Sequence, residues 1–87
     1  MSIEAGEAEA AVRKIEIVVV VAKHDKRHIE FHKHDVTGLE IKTRAGVPPE
    51  NDLAVKRDEK FKLVTNDESV KIHEGEHFHV FPPGTIS

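Results

Sequence analysis

Between residues 36 and 49 the chain reads VTGLEIKTRAGVPP, and no other stretch limits the fold as tightly. Thr37 suits a helix N-cap, because its hydroxyl can accept from the amide three residues on. Glu40, at that third position, can reach back to the cap amide and close a capping box. Val36 before the cap and Ile41 within the helix are placed to form a hydrophobic staple. At the other end Gly46 suits the left-handed position past the last turn, and Pro48 forbids continuation. A start and a stop this close leave a helix over 38–45, two turns long. So short a helix is marginal in water and must be held by packing. Gly38, Ile41 and Ala45 share one stripe whose small residues let the helix lie close to a sheet. Leu39 falls off that stripe, on the exposed side.

The flanking segments alternate with the two-residue period of strands. Lys14 to Lys23, KIEIVVVVAK, is almost wholly β-branched. Ile15, Ile17, Val19 and Val21 share one face; Val18 and Val20 share the other with Lys14 and Glu16. Two partly apolar faces mark a central strand that is touched on its outer side as well. His24, Asp25 and Lys26 read as a turn, and Arg27 to His32 as the second strand of a hairpin with Ile29 and Phe31 inward. After the helix, Leu53 to Lys56 forms a third strand and Phe61 to Val64 a short edge strand. The charged stretch Lys56 to Lys62 between them reads as a solvated hairpin. Val70 and Ile72 plug the core from an irregular stretch, and His73 to Glu76 is a turn around Gly75. His77 to Phe81 is the last strand, with Phe78 and Val80 inward and His77, His79 and Phe81 outward. The predicted core is Ile17, Val19, Phe31, Ile41, Leu53, Val70 and Phe78.

With 87 residues there is room for one domain, one thin core and no deep cleft. Cysteine is absent, which excludes a disulfide framework, a zinc–thiolate site and a thiol nucleophile, and fits a reducing cytoplasm. A net charge of −3 argues against a nucleic-acid partner. The longest apolar run, Ile17 to Ala22, is far below the ~20 residues that span a bilayer, and the acidic, Ala-rich N-terminus is not a signal peptide. Residues 1–13, MSIEAGEAEAAVR, hold little to bury and read as a flexible arm, or as one that orders on a partner or a sister molecule.

Strand, strand, helix, strand, short strand, strand is an α+β layer arrangement: a mixed four- to five-stranded sheet with one short helix on one face. In a chain this short it is the ubiquitin-like β-grasp pattern. TGLEIKTRAGVPP, the later DESVKIHEGE and the closing strand followed by PP resemble the bacterial multiubiquitin family of ubiquitin-like domains. The resemblance covers residues 14–83 and leaves 84–87 as a C-terminal tail. It implies a protein modifier, joined to target proteins through its C-terminus by activating and conjugating enzymes, with a processing peptidase alongside.

Set against ubiquitin, whose last strand LHLV continues LRLRGG, this chain has FHVF continuing PPGTIS. His79 falls at the strand histidine, Phe81 at the outward residue of the recognition patch, and six residues follow in each. Pro82 and Pro83 remove two donors and end the sheet abruptly. The chain departs from ubiquitin in having no terminal Gly-Gly. Thr85 and Ile86 are β-branched and would not fit a channel that passes a diglycine. Either the tail is trimmed behind Gly84, or the partner enzyme accepts Ser87 as the reacting carboxylate, or the protein is not conjugated.

Seven histidines raise the question of a metal. His28 and His32 stand about 13 Å apart along a strand, too far to share an ion; His32 with His34, or His77 with His79, stand about 7 Å apart. Without cysteine or an HExxH helix, the simpler reading is a polar face with titratable rings. No motif implies a cofactor, and the DES at 67–69 lacks the pocket that acid–base chemistry needs. The outer sheet face is more informative. Val18, Val20, His79 and Phe81 fall together there if the first and last strands are neighbours. An apolar patch rimmed by His and Lys marks a partner site, unless the tail or arm covers it. The expected function is a non-catalytic ubiquitin-like modifier. The alternatives are a β-grasp assembly module that self-associates through its arm or tail, giving a homo-oligomer, and a sulfur carrier of the same fold, which the missing diglycine disfavours.

Overall fold

The computed structural model describes residues 14–84. Its elements are β1 (Ile15–Ala22), β2 (Asp25–Phe31), β3 (Asp35–Thr37), α1 (Gly38–Ala45), β4 (Asp52–Arg57), β5 (Lys60–Leu63), β6 (Ser69–Lys71) and β7 (His77–Phe81). The main sheet has five strands in the order β2-β1-β7-β4-β5, and β3 pairs with β6 in a separate two-stranded sheet. β1 and β7 run parallel, while the other neighbours are antiparallel. First and last strands are therefore adjacent, as expected, and α1 lies in the crossover that a parallel pair requires. The architecture is that of a ubiquitin-like β-grasp.

The helix begins and ends where its punctuation places it. Thr37 is extended at φ −90° and ψ 161°, and both halves of the capping box are made. The Glu40 amide donates to the Thr37 hydroxyl at 3.1 Å, and the Thr37 amide donates to the Glu40 carboxylate at 2.9 Å. Lys33 also grips that carboxylate, and with the Thr37 amide it holds Glu40 below its ordinary pKa. Gly46 sits at φ 75°, and the Val47 amide closes the last turn on the Lys42 carbonyl at 2.8 Å. Two further first-turn amides are satisfied from outside: Gly38 donates to the Glu68 carbonyl and Leu39 to that of Asn66, each at 3.2 Å.

Those two bonds draw the helix start against the 65–68 turn, and only glycine fits there. A Cβ on Gly38 would lie 2.3 Å from the Thr65 carbonyl oxygen. Gly38→Ala is expected to lower stability by about 1–3 kcal/mol through overpacking, outweighing alanine's better helix propensity. Equilibrium urea unfolding checks this, and a variant as stable as the parent would show that the turn gives way freely.

All seven residues expected in the core are buried, from Val70 at 8% exposed to Ile17, Val19, Ile41, Leu53 and Phe78 at 0%. Among the described residues one polar side chain joins them. Lys42 is 4% exposed, and its ammonium donates to the Asn66 side-chain oxygen at 2.8 Å and the Pro49 carbonyl at 3.1 Å. Burial pulls its pKa down, against the opposing charges of Asp52 and Glu50. The sequence pattern did not mark Lys42, because one lysine on an otherwise mixed helix looks solvated.

Three expectations are corrected. The first turn is Lys23–His24 rather than 24–26, so β2 already starts at Asp25. An irregularity between Val20 and Ala22 advances the register, and the Asp25 carboxylate is anchored by Arg27. β2 ends at Phe31, one residue before His32. Val70 is not in an irregular stretch but in β6, opposite Val36 of β3. Each of those strands is three residues long with one buried side chain, too short to show a period.

Candidate functional site

Alternation fixes which side chains face away from the helix. Leu53 and Val55 of β4 lie in the core, so Ala54 and Lys56 turn outward. Across β4 and β7, Ala54 stands opposite His79 and Asp52 opposite Phe81. Across β1 and β7, Val18 stands opposite His77 and Val20 opposite His79. The structure thus brings Val18, Val20, His79 and Phe81 onto one outer face. It adds β5, where Phe61 is opposite Lys56 and Leu63 opposite Ala54.

Aromatic rings dominate the middle of this face. Phe61 meets His79 edge-on at 4.9 Å between centroids and Phe81 edge-on at 5.9 Å. His79 and Phe81 stack at 6.4 Å, and the Lys56 ammonium lies 5.8 Å from the Phe61 centroid. Edge-on and offset geometries are the favourable ones for rings. Ala54 points outward yet is 0% exposed, flanked across the neighbouring strands by His79 and Leu63. Phe61 itself is 50% exposed and Leu63 37%. Beside the rings a shallow depression of about 450 Å³ is bounded by Val20, Lys26, Lys56, His77 and His79, with Asp58 and Glu59 of the β4–β5 turn at its end. The result is an apolar, aromatic centre with a charged margin of both signs.

β7 is the middle strand of the five, so the tail leaves from the centre of the sheet. Phe81 is its last paired residue. Pro82 and Pro83 follow, both exposed, and Gly84 is exposed at φ 81°. Thr85, Ile86 and Ser87 lie outside the described residues, as does the arm over 1–13.

Sequence reasoning missed Phe61, which it read as part of a solvated hairpin. A usable signal was present. The β4–β5 turn has only two residues, Asp58 and Glu59, at φ 53° and 63°, and a two-residue turn fixes register. That register sets Phe61 against Lys56, one strand from His79.

Burial pushes the His79 pKa below its ordinary value, and the charges of Lys56, His77 and Lys26 push it the same way. A folded-state pKa below the unfolded one means that the unfolded chain takes up the proton first. This contribution is fully present above the unfolded value near 6.5, and it declines as pH falls from there through the depressed folded value. NMR titration of His79 is expected to give a midpoint below that of free imidazole. His79→Gln should flatten the pH dependence of the urea midpoint in this window, and a midpoint at or above the free value would refute the desolvated placement. Among the described residues no three His, Asp or Glu side chains gather as a metal site, and no helix is long and apolar enough to cross a membrane.

A sequence model of the family described as Multiubiquitin matches residues 24–83, from the turn after β1 to the proline pair. No curated protein and no solved structure matches the chain.

Proposed function

This chain belongs to the multiubiquitin family, and from that premise we propose that it is a ubiquitin-like modifier conjugated to target proteins through the segment Gly84 to Ser87. Activating and conjugating enzymes of a bacterial, cytoplasmic pathway perform the chemistry, and a peptidase trims the tail if the reacting residue is Gly84. The modifier supplies no catalytic group. In activation its carboxylate attacks the α-phosphorus of ATP, pyrophosphate leaves, and an enzyme thiol then displaces AMP to form a thioester.

One observation supports this reading above the rest. The tail leaves β7 directly after Phe81, which stands in the ring cluster with His79 of the same strand and Phe61 of β5. An enzyme that grips the cluster would find the tail at a fixed distance. The proline pair keeps the chain from folding back into the ladder.

Mass spectrometry after incubation with ATP and the activating enzyme of the pathway tests it. Chains made to end at Ser87 and at Gly84 are compared. An adduct on the first alone identifies Ser87 as the reacting residue, and one on the second alone identifies Gly84 behind a trimming step. If neither chain forms an adenylate or a thioester, the modifier reading fails.

A further inference from the structure

β5 is the outer strand at the opposite end of the main sheet from β2, and all of its residues are exposed. Which of its backbone groups face the open side follows from β4. The Val64 amide donates to the Leu53 carbonyl at 2.8 Å, and bonded pairs recur at every second residue of an antiparallel ladder. Val55 with Lys62 and Arg57 with Lys60 are therefore the bonded pairs, and Ala54 with Leu63 and Lys56 with Phe61 the unbonded ones. The amides and carbonyls of Phe61 and Leu63 consequently point away from the sheet. Side chains alternate on the same strand. Phe61 and Leu63 stand on the outer face with the ring cluster, and Lys60 and Lys62 stand on the helix side with Arg57 and Val55.

The positive charge on this edge is uncompensated. Lys60 and Lys62 take part in none of the ion pairs among the described residues. Lys62 stands at a depression of about 120 Å³ over Val64 and Val70, with Arg57, Lys71 and Glu68 around it. Glu76 holds Arg57, Lys71 stands opposite Asp35, and Glu68 accepts from the Thr65 amide at 3.4 Å. An open edge templates a further strand, but these lysines turn away a second copy of β5. Added antiparallel, it sets Lys62 against Lys62 when Phe61 faces Leu63, and Lys60 against Lys62 when Phe61 faces Phe61. Like charges directly opposite destabilise a pair, and carboxylates in the same places attract. We propose that the free edge of β5 binds an extended acidic segment of a partner protein, which joins the main sheet as a sixth strand antiparallel to β5.

The pattern that the edge selects follows from its two faces. Antiparallel pairing lets Phe61 and Leu63 each exchange both backbone bonds with one residue of the segment. Those two residues lie on the outer face, so apolar side chains there extend the ring cluster. The residues opposite Lys62 and Lys60 lie on the helix side and are acidic. Read from its N-terminus, the segment is apolar, acidic, apolar, acidic. It ends level with Lys60, because Asp58 and Glu59 form the turn just beyond and repel a further carboxylate. The lysines thus serve selection in both senses, against a like strand and for an acidic one.

NMR titration of the full chain with the acetylated and amidated peptide Ser-Val-Glu-Val-Glu-Ser tests this, with Ser-Val-Lys-Val-Lys-Ser as the control. The glutamate peptide is expected to shift the Phe61 and Leu63 amides most, the inward-bonded Lys60 and Lys62 amides less, and the lysine peptide to shift none of them. In the double variant Lys60→Glu, Lys62→Glu, affinity for the glutamate peptide should fall about tenfold and the lysine peptide should now bind. An equal response of the parent to both peptides overturns the proposal. So does the absence of shifts at Phe61 and Leu63, or a set of shifts centred on β2. Shifts at Phe61 and Leu63 that follow protein concentration without any peptide also overturn it, because a second copy would then occupy the edge. The comparison of the two peptides uses the unaltered chain, so the test stays decisive if the double variant folds poorly.

Discussion

Ile41→Ala is expected to lower the free energy of unfolding by about 2–5 kcal/mol, a large share of the stability of a domain this small. Ile41 is 0% exposed and belongs to one continuous core with Ile17, Val19, Phe31, Leu53 and Phe78. It is the side chain through which a two-turn helix is held, and such a helix has little stability of its own. Removing three of its carbons forfeits their transfer energy and leaves a cavity that the sheet, fixed by its ladders, cannot close. Native domains are stable by only about 5–15 kcal/mol, and small ones sit low in that range. The variant should therefore unfold near ambient conditions or at a sharply lower urea midpoint with unchanged slope. Ile41→Val should cost about 0.5–1.5 kcal/mol, which separates lost volume from lost helix. An alanine variant within about 0.5 kcal/mol of the parent would mean that the caps and the bonds of Gly38, Leu39 and Lys42 hold the helix without Ile41.

The helix was legible residue by residue because caps act locally: Thr37, Glu40 and Gly46 make the bonds their types require. The long strands were legible because β1 and β7 expose one face to the core and alternate. What escaped was settled over distance. β3 and β6 exist because Val36 and Val70 meet across more than thirty residues, a pairing with no local pattern. Lys42 is buried because the turn after the helix and Asn66 bring it two acceptors, neither of which its neighbours announce.

The candidate site divides in the same way. Val18, Val20, His79 and Phe81 could be placed on one face from alternation together with the adjacency of β1 and β7, and the register sets Val20 against His79. Phe61 required the β4–β5 register as well as the position of β4 beside β7. Depth of cover was also out of reach. Ala54 sits at the centre of a face that alternation marks as solvent-exposed, yet it is fully covered.

Phe61→Ala and Phe81→Ala are each expected to weaken binding to the activating or conjugating enzyme by about 2 kcal/mol or more, roughly thirtyfold, while the fold stays intact. Phe61 is half exposed and Phe81 is partly covered by it, and neither belongs to the core cluster. Truncating either ring should therefore shift the melting temperature by only a few degrees. Phe78, one strand position from His79 and 0% exposed, supplies the contrast, since its loss should destabilise the domain outright. The two outer rings touch at 5.9 Å between centroids, so the double variant should lose less than the sum of the singles. Removing Phe61 also deprives the Lys56 ammonium of its ring, so this variant tests that part of the margin as well. Titration of each variant against the purified enzymes, with circular dichroism to confirm the fold, measures all of this. Two folded single variants that bind every enzyme as tightly as the parent would remove the ring cluster from recognition. The tail alone would then have to carry the encounter, and an enzyme that reads only four residues past a proline pair has little surface from which to draw specificity.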